Sequence, residues 1–254
     1  MYDLLRGREF RIIPITVGKI KSCKAELTYN IDFQTWLWAS VNIFLVRDDS
    51  GEVGLVDAGF RVRRGDEAKA KGGLQQLMRK LRMFKVEPER VASLILTHLH
   101  NDHVSIPELF KNARVYAQAS ELAHALNPLS TQERFYDPAN LRKLDRMNLE
   151  TVKGDRDIGN GVRIIHTPGH TPGSQTVLVE TKKGTCAICG DTVPIFHNWF
   201  PSNNSYVTRT DALKIPPDVH SDLHAWFASA SKIERAKFII PGHEPRLTDG
   251  KPIP

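Results

Sequence analysis

The 254-residue chain predicts a layered α/β sandwich. Apolar, β-rich runs come in groups, with helical periods between and after the groups rather than in strict alternation, which argues against a barrel of alternating units. Histidines and aspartates also recur directly after the apolar runs, where a sheet releases its strands into loops. No internal repeat, low-complexity block or long linker interrupts the chain, so residues 1–254 read as one domain with a substantial core.

The elements follow in order. "VNIFLVRDDSGEVGLVDAG" holds two strands, Val41–Arg47 and Val53–Val56, around a turn of Asp48, Asp49, Ser50 and Gly51. Leu74, Leu77, Met78 and Leu81 recur at helical spacing and predict a helix over Asp66–Met83. "VASLILT" reads as a buried strand. Pro107–Phe110 predicts a short helix, "ARVYAQ" a short strand, and Ser120 suits the cap of a helix over Glu121–Leu126. Asn127–Glu150 is polar, with helical character around Leu141–Met147. Three strands follow, "VRIIHT", "SQTVLVET" and "TCAICG", the last two joined through Lys182, Lys183 and Gly184. A helix over Val219–Ile233 leads to a final strand, "KFIIPG".

Hydrophobic residues at 41% and charged residues at 25% describe an ordinary globular protein. No apolar run approaches the roughly 18 residues needed to span a bilayer. The opening "MYDLLRGREFRIIPITVGK" lacks the apolar core of a secretory signal, so the chain, taken as complete, is expected in the cytoplasm without a membrane partner. The net charge is +6. Arg61, Arg63 and Arg64 offer attraction to an anionic substrate or nucleic acid, but there is no long basic run or RNA-binding signature. The cluster reads as solvated surface, and nucleic acid is not an expected partner. Of the three cysteines, Cys186 and Cys189 have the spacing of half a zinc ribbon without the other half and sit in an apolar run, so they read as buried small hydrophobes. The odd count argues against a disulfide framework. A small-molecule substrate is the expected partner, and a homodimer is compatible with the sequence.

The chemistry is concentrated in "THLHNDH", Thr97 to His103. His98, His100, Asp102 and His103 are all competent metal ligands. Further donors sit where strands end: His170 in "HTPGHTPGS", Asp191 after "TCAICG", His243 in "PGHE" and Asp57 at the close of "VGLVD". A catalytic zinc takes about three protein ligands and a water. Five imidazoles and two carboxylates (Asp102, Asp191) exceed one such ion and suit two, with one carboxylate shared. Zinc is the leading candidate, and the same donors suit iron or manganese.

"HLHNDH", followed in order by His170, Asp191 and His243 and preceded by Asp57 in "VDAG", resembles the signature of the metallo-β-lactamase superfamily over most of the chain. The resemblance implies a four-layer αββα sandwich with metals at one edge of two packed sheets. It implies one metal at His98, His100 and His170, a second at Asp102, His103 and His243, Asp191 bridging, and Asp57 orienting a ligand. Within the superfamily the chain is most similar to the N-acyl-homoserine-lactone lactonases, on "TPGHTPGSQTVLV", the chain length and the polar segment between the ligand clusters. It departs from them twice: Ser105, Ile106 and Pro107 replace a small Gly-rich continuation, and Pro194 stands where that family has a catalytic tyrosine.

The lactonase-like reading is a binuclear hydrolase in which hydroxide, held between metals roughly 3.5–4 Å apart, opens a lactone or cleaves an ester. Asp102 would pass a proton to the leaving oxygen. His197 either takes over the tyrosine's role or lies at the surface. Phe196, Trp199 and Phe200, directly after Asp191, are expected to wall an acyl pocket, while Trp36 and Trp38 serve either that pocket or the core. His220 and His224 are four apart on the last predicted helix but lack a third ligand. The alternatives are a phosphodiesterase using Arg61, Arg63 and Arg64, a glyoxalase-II-like thioesterase and an iron-dependent sulfur dioxygenase.

Overall fold

The computed structural model describes residues 10–201, 213–247 and 249–253. Residues 1–9, the first part of the segment read for a leader, lie outside the described residues. In chain order the elements are β1 (Phe10–Cys23), α1 (Lys24–Leu27), β2 (Trp36–Asp48), β3 (Val53–Val56), β4 (Ala70–Gly72), α2 (Leu74–Met83) and β5 (Ser93–Ile95). Then come α3 (Asn101–Val104), β6 (Arg114–Gln118), α4 (Ala119–Leu126), α5 (Pro138–Leu144), β7 (Asn148–Val152), β8 (Arg156–Gly159) and β9 (Val162–His166). The last are β10 (Gln175–Thr181), β11 (Gly184–Ile188), α6 (Phe196–Trp199), α7 (Leu223–Ile233) and β12 (Phe238–Ile240).

The strands form two sheets, ordered β4-β1-β2-β3-β5-β6-β7 and β12-β11-β10-β9-β8. Alternation along β2 explains how the layers assemble. Phe44 and Val46 point between the sheets, with Ile12, Val56 and Ile95, onto Val177, Val179, Cys186 and Ile188. Val41, Ile43 and Leu45 point the other way, onto Leu77 and Leu81 of α2. On the far side α7 lays Trp226, Ala230 and Ile233 over Ile165, Leu178, Ala187 and Ile239. Each fully buried large side chain contributes about 1.5–3 kcal/mol, enough to seat both helices although neither is long. The expected helix–sheet–sheet–helix sandwich is the architecture observed.

Several boundaries differ from expectation. The helix predicted over Asp66–Met83 begins only at Leu74, because Gly72 and Gly73 take φ of 100° and 88° and turn the chain. A Cβ on Gly72 would lie 2.5 Å from the Val17 carbonyl, so Ala70–Gly72 instead lies along β1 as an edge strand. Ser120 does not cap α4: the helix starts at Ala119, and its N-cap, Gln118, makes no side-chain capping bond. Gln118 binds Gly154 and Gln175 instead. α7 starts at Leu223, where Asp222 accepts from the Ala225 amide at 2.9 Å, so His220 lies outside the helix. β1, β7 and β8 were not expected. Pro14, Gly18 and a bulge between Thr16 and Gly18 break the alternation of β1, and the other two are short and largely polar.

Strands β3, β5, β6 and β7 are mutually parallel, so their C-terminal ends open onto one edge. β11 and β12 are parallel in the second sheet. Asp57 and the histidine cluster follow β3 and β5; Asp191 and His243 follow β11 and β12.

Candidate metal centre

The site is assembled from strand ends. Past β5 the chain carries His98 and Leu99 inward, and one helical turn, α3, presents Asp102 and His103 on the side that His100 enters. Two donor groups converge: His98, His100, His170 and Asp191, and Asp102, His103 and His243, with one ligand atom from each residue within 4.8 Å of the others in its group. All but Asp102 are buried.

Asp191 stands between the groups and divides its oxygens. Oδ2 lies 3.5 Å from His170 Nε2 and 3.9 Å from His98 Nε2. Oδ1 lies 3.0 Å from His243 Nε2 and 3.3 Å from His103 Nε2. Asp102 Oδ2 lies 3.4 Å from His243 Nε2.

Each imidazole but one is held from its outer side. His103 Nδ1 meets Asp57 Oδ2 at 2.8 Å, His243 Nδ1 the Ser40 carbonyl at 2.8 Å, His170 Nδ1 the Val219 carbonyl at 2.6 Å and His98 Nδ1 Thr97 Oγ1 at 3.1 Å. The inner nitrogens are left facing one another: His103 Nε2 is 3.2 Å from His243 Nε2, and His170 Nε2 is 3.1 Å from His100 Nδ1. His98 Nε2, His100 Nε2 and Asp191 Oδ1 are buried without a hydrogen-bond partner. Such groups cost free energy unless something binds them. Convergent lone pairs of nitrogen and carboxylate, with the outer nitrogens anchored, are what divalent cations require, and the residues present fit two.

The electrostatics agree. Burial, reinforced by neighbouring imidazoles, holds His98 and His100 well below the usual histidine range, so both are neutral donors. Around the second group burial opposes charge, but Asp191 and Asp102 outweigh it and draw His103 well up and His243 up to about 9. The carboxylates there favour positive charge, which divalent cations would supply in place of protons. Asp57 meets this demand from behind. Its φ of 66° is unusual for a residue with a side chain, and it is held by the Thr97 amide at 2.8 Å as well as by His103.

A cleft of about 490 Å³ opens over the donors, reaching His100, Asp102, His170, Asp191 and His243. Its apolar wall is Ile20, Leu27, Ala39, Phe60, Phe135 and Pro194. The five aromatics predicted for a pocket are absent from its described lining. Trp36 is 62% exposed, opposite Cys23 at the start of β2. Trp38 lies under the Lys71 ammonium. Trp199 is buried in the α7 layer, Phe200 is 60% exposed, and Phe196 lies against the Arg246 guanidinium. The short α6 turns Trp199 back onto the second sheet, away from the cleft. His197 is not delivered either: its Nε2 lies 3.7 Å from Asp32 Oδ2, outside the cleft lining. Pro194 does line the cleft, and it offers no donor. Arg61 and Arg63 reach the rim, where Glu108 at 2.6 Å and Asp137 at 3.7 Å engage them. His220 Nδ1 donates to the Pro217 carbonyl at 3.1 Å and does not pair with His224 on a helix face.

Glu121 was missed from sequence. It is buried on α4, and its carboxylate accepts from the Leu99 amide at 2.9 Å, Tyr136 Oη at 3.1 Å, Thr171 Oγ1 at 2.5 Å and the Gly173 amide at 3.1 Å. It therefore ties the loop bearing His98 and His100 to the loop bearing His170. Burial and Glu121 push the Tyr136 hydroxyl far above its ordinary range, so it remains a donor.

An N-acyl homoserine lactonase of a Bacillus species is 35% identical over 103 residues, 41% of this chain and 38% of that protein. An N-acyl homoserine lactonase of Rhizobium rhizogenes is 27% identical over 116 residues, 42% of each. The matched segment thus spans well under half the length of these relatives. A solved quorum-quenching N-acyl homoserine lactone lactonase superposes over 94% of both chains, with a TM-score of 0.74 at 20% identity. A dizinc quorum-quenching lactonase, AidC, covers 97% of this chain and 93% of its own, with a TM-score of 0.70 at 16% identity. These structures share the fold. The model of the metallo-β-lactamase superfamily matches residues 36–243, spanning every donor in the centre. With that match, the ordered donors and the two-sheet sandwich all agreeing, the chain belongs to the metallo-β-lactamase superfamily.

Proposed function

We propose that this protein is a binuclear metal-dependent hydrolase that opens lactones or cleaves carboxylic esters. The observation that carries the reading is Asp191, whose two oxygens face the two donor groups separately, at 3.0–3.9 Å from four imidazole nitrogens. His98, His100 and His170 would hold one cation and Asp102, His103 and His243 the other, with Asp191 shared between them. Zinc suits this donor set, as do iron and manganese. Bound there, such cations supply a water acidified to a pKa of about 7 and a Lewis acid for the scissile carbonyl.

The chain's own residues do the rest. Asp102, partly open to the cleft, is placed to hold a proton at Oδ2 and deliver it to the leaving oxygen. Asp57 keeps His103 in the tautomer whose Nε2 is free to bind. Phe60, Phe135, Ile20 and Leu27 cover the apolar part of the substrate and exclude water. Neither Pro194 nor His197 brings a donor to the carbonyl, so the reading is of a lactone or ester hydrolase as a class. A phosphodiester is less well supported, because Arg61 and Arg63 are engaged by acids and Arg64 is absent from the cleft lining.

The test is proton release by metal-loaded protein against lactones of increasing acyl length, with aryl phosphodiesters and thioesters in parallel and His100→Ala as control. Lactone turnover that falls at least roughly 100-fold in the variant supports the assignment. Thioester or phosphodiester turnover without lactone turnover would refute it.

A further inference from the structure

One face of the β4-β1-β2 edge carries a pattern the metal centre does not use. Lys19 pairs with Lys71 across β1 and β4, and Lys21 pairs with Trp38 across β1 and β2. The Lys21 amide donates to the Lys69 carbonyl at 2.7 Å, which continues the first pairing by two residues. Alternation then puts Lys19, Lys21, Lys69, Lys71, Trp36 and Trp38 on one face, while Ile20, Ala39 and Ala70 face the cleft. Two contacts confirm the shared face: Lys71 Nζ lies 4.7 Å from the Trp38 ring centre and Lys21 Nζ 5.9 Å from that of Trp36.

All four lysines are exposed, and none makes an ion pair with a described residue. Like charges opposed across strands are unfavourable unless an anion relieves them. Beside them stand two large apolar side chains in water, Trp36 at 62% exposure and Phe33 at 65%. Both lie at the same end of the hairpin, since Cys23 opposes Trp36 and its thiol donates to the Phe33 carbonyl at 3.2 Å.

We infer that this face docks on an anionic lipid surface, with Phe33 and Trp36 entering the headgroup boundary and the four lysines meeting the negative charge. Aromatic residues with a ring of lysines are the pairing that interfacial binding uses. A nucleic-acid strand is a poorer match, because stacking needs open ring faces and ammonium groups lie over both indoles. A second copy docked on the same patch would set lysines against lysines. Lys21 and Lys69 also reach the cleft rim, so the docked face adjoins the cleft at its edge. The binding proposed lies on the membrane and does not span it, and it departs from the expectation that membranes play no part. No helix among the described residues is long and apolar enough to cross one.

The test is flotation of the full chain with vesicles of phosphatidylcholine alone or with about one-third phosphatidylserine. Binding should require phosphatidylserine and weaken steeply as ionic strength rises from about 0.05 to 0.2 M. The pair Lys19→Gln and Lys71→Gln, both away from the cleft lining, should weaken binding roughly 25-fold with an unchanged melting temperature, at about fivefold for each lysine. Trp36→Ser should weaken it further. Failure of the unaltered chain to float at low salt, equal flotation of the double variant, or tighter binding to an oligothymidine than to the anionic vesicles would each overturn the inference.

Discussion

Replacing Glu121 by glutamine tests whether one buried carboxylate holds the two ligand loops together. The change keeps shape and volume but turns one acceptor oxygen into a donor. Oε1 serves the Leu99 amide and Tyr136; Oε2 serves Thr171 and the Gly173 amide. Either hydroxyl can rotate to accept from the new amide, but a backbone N–H cannot. In either orientation, therefore, the Leu99 or the Gly173 amide is left facing another donor. Hydrogen bonds to a charged acceptor contribute about 1.5–3 kcal/mol each, and neutral ones about 1 kcal/mol. Three bonds lose their carboxylate acceptor and the fourth becomes repulsive, offset in part because an amide is less costly to bury than a carboxylate. The expected net loss is about 2–4 kcal/mol.

Urea unfolding of the metal-free chain, followed by the fluorescence of buried Trp226, reads that loss directly. A chromogenic chelator competing for zinc reads the second consequence. Leu99 lies between His98 and His100, and Thr171 follows His170, so a loosened Glu121 should weaken metal binding about 10–100-fold. Stability within about 0.5 kcal/mol of the unaltered chain would refute the assigned hydrogen-bond role. A stability loss with metal affinity unchanged would show that Glu121 supports the fold without aligning the ligands.

Other consequences follow from the same contacts. Gly173→Ala should be strongly destabilising, by about 3 kcal/mol or more in urea unfolding, because its Cβ would fall 2.2 Å from the Glu121 backbone nitrogen, which cannot give way. Asp57→Asn should lower zinc affinity or turnover about 10–100-fold in the chelator and proton-release assays, since it leaves His103 without its carboxylate partner. In the folded protein at pH 8, iodoacetamide should label Cys23 and spare Cys186 and Cys189, as read by peptide mass spectrometry. Both spared thiols are fully buried, and burial pushes that of Cys189 up to about 12. Labelling of all three at similar rates would contradict the packing between and outside the sheets.

What could be read from sequence divides along a physical line. Metal donors come from a few residue types, and His98, His100, Asp102 and His103 lie within six positions, so their chemistry is visible locally. His170, Asp191 and His243 each follow an apolar run, and the strand ends they mark do meet at one edge. The cleft walls have no such signature. Ile20 and Leu27 belong to a part of the chain not recognised as structured, while Phe60 and Pro194, each three residues past an aspartate of the site, carried a positional hint. Glu121 read as an ordinary polar residue of a helix, because its four partners come from three other segments. The aromatics after Asp191 show the competing effect most clearly. Their proximity to a ligand suggested a pocket, but α7 and the second sheet offered Trp199 a larger apolar surface, and burial followed area rather than sequence distance. The two tryptophans of β2 met the opposite circumstance: alternation puts them on the face of Phe44 and Val46, but they lie outside the inter-sheet core, with lysine ammoniums over their rings. An aromatic near a site is thus placed by whichever face its backbone register selects, and register is the quantity that a single strand's sequence leaves open.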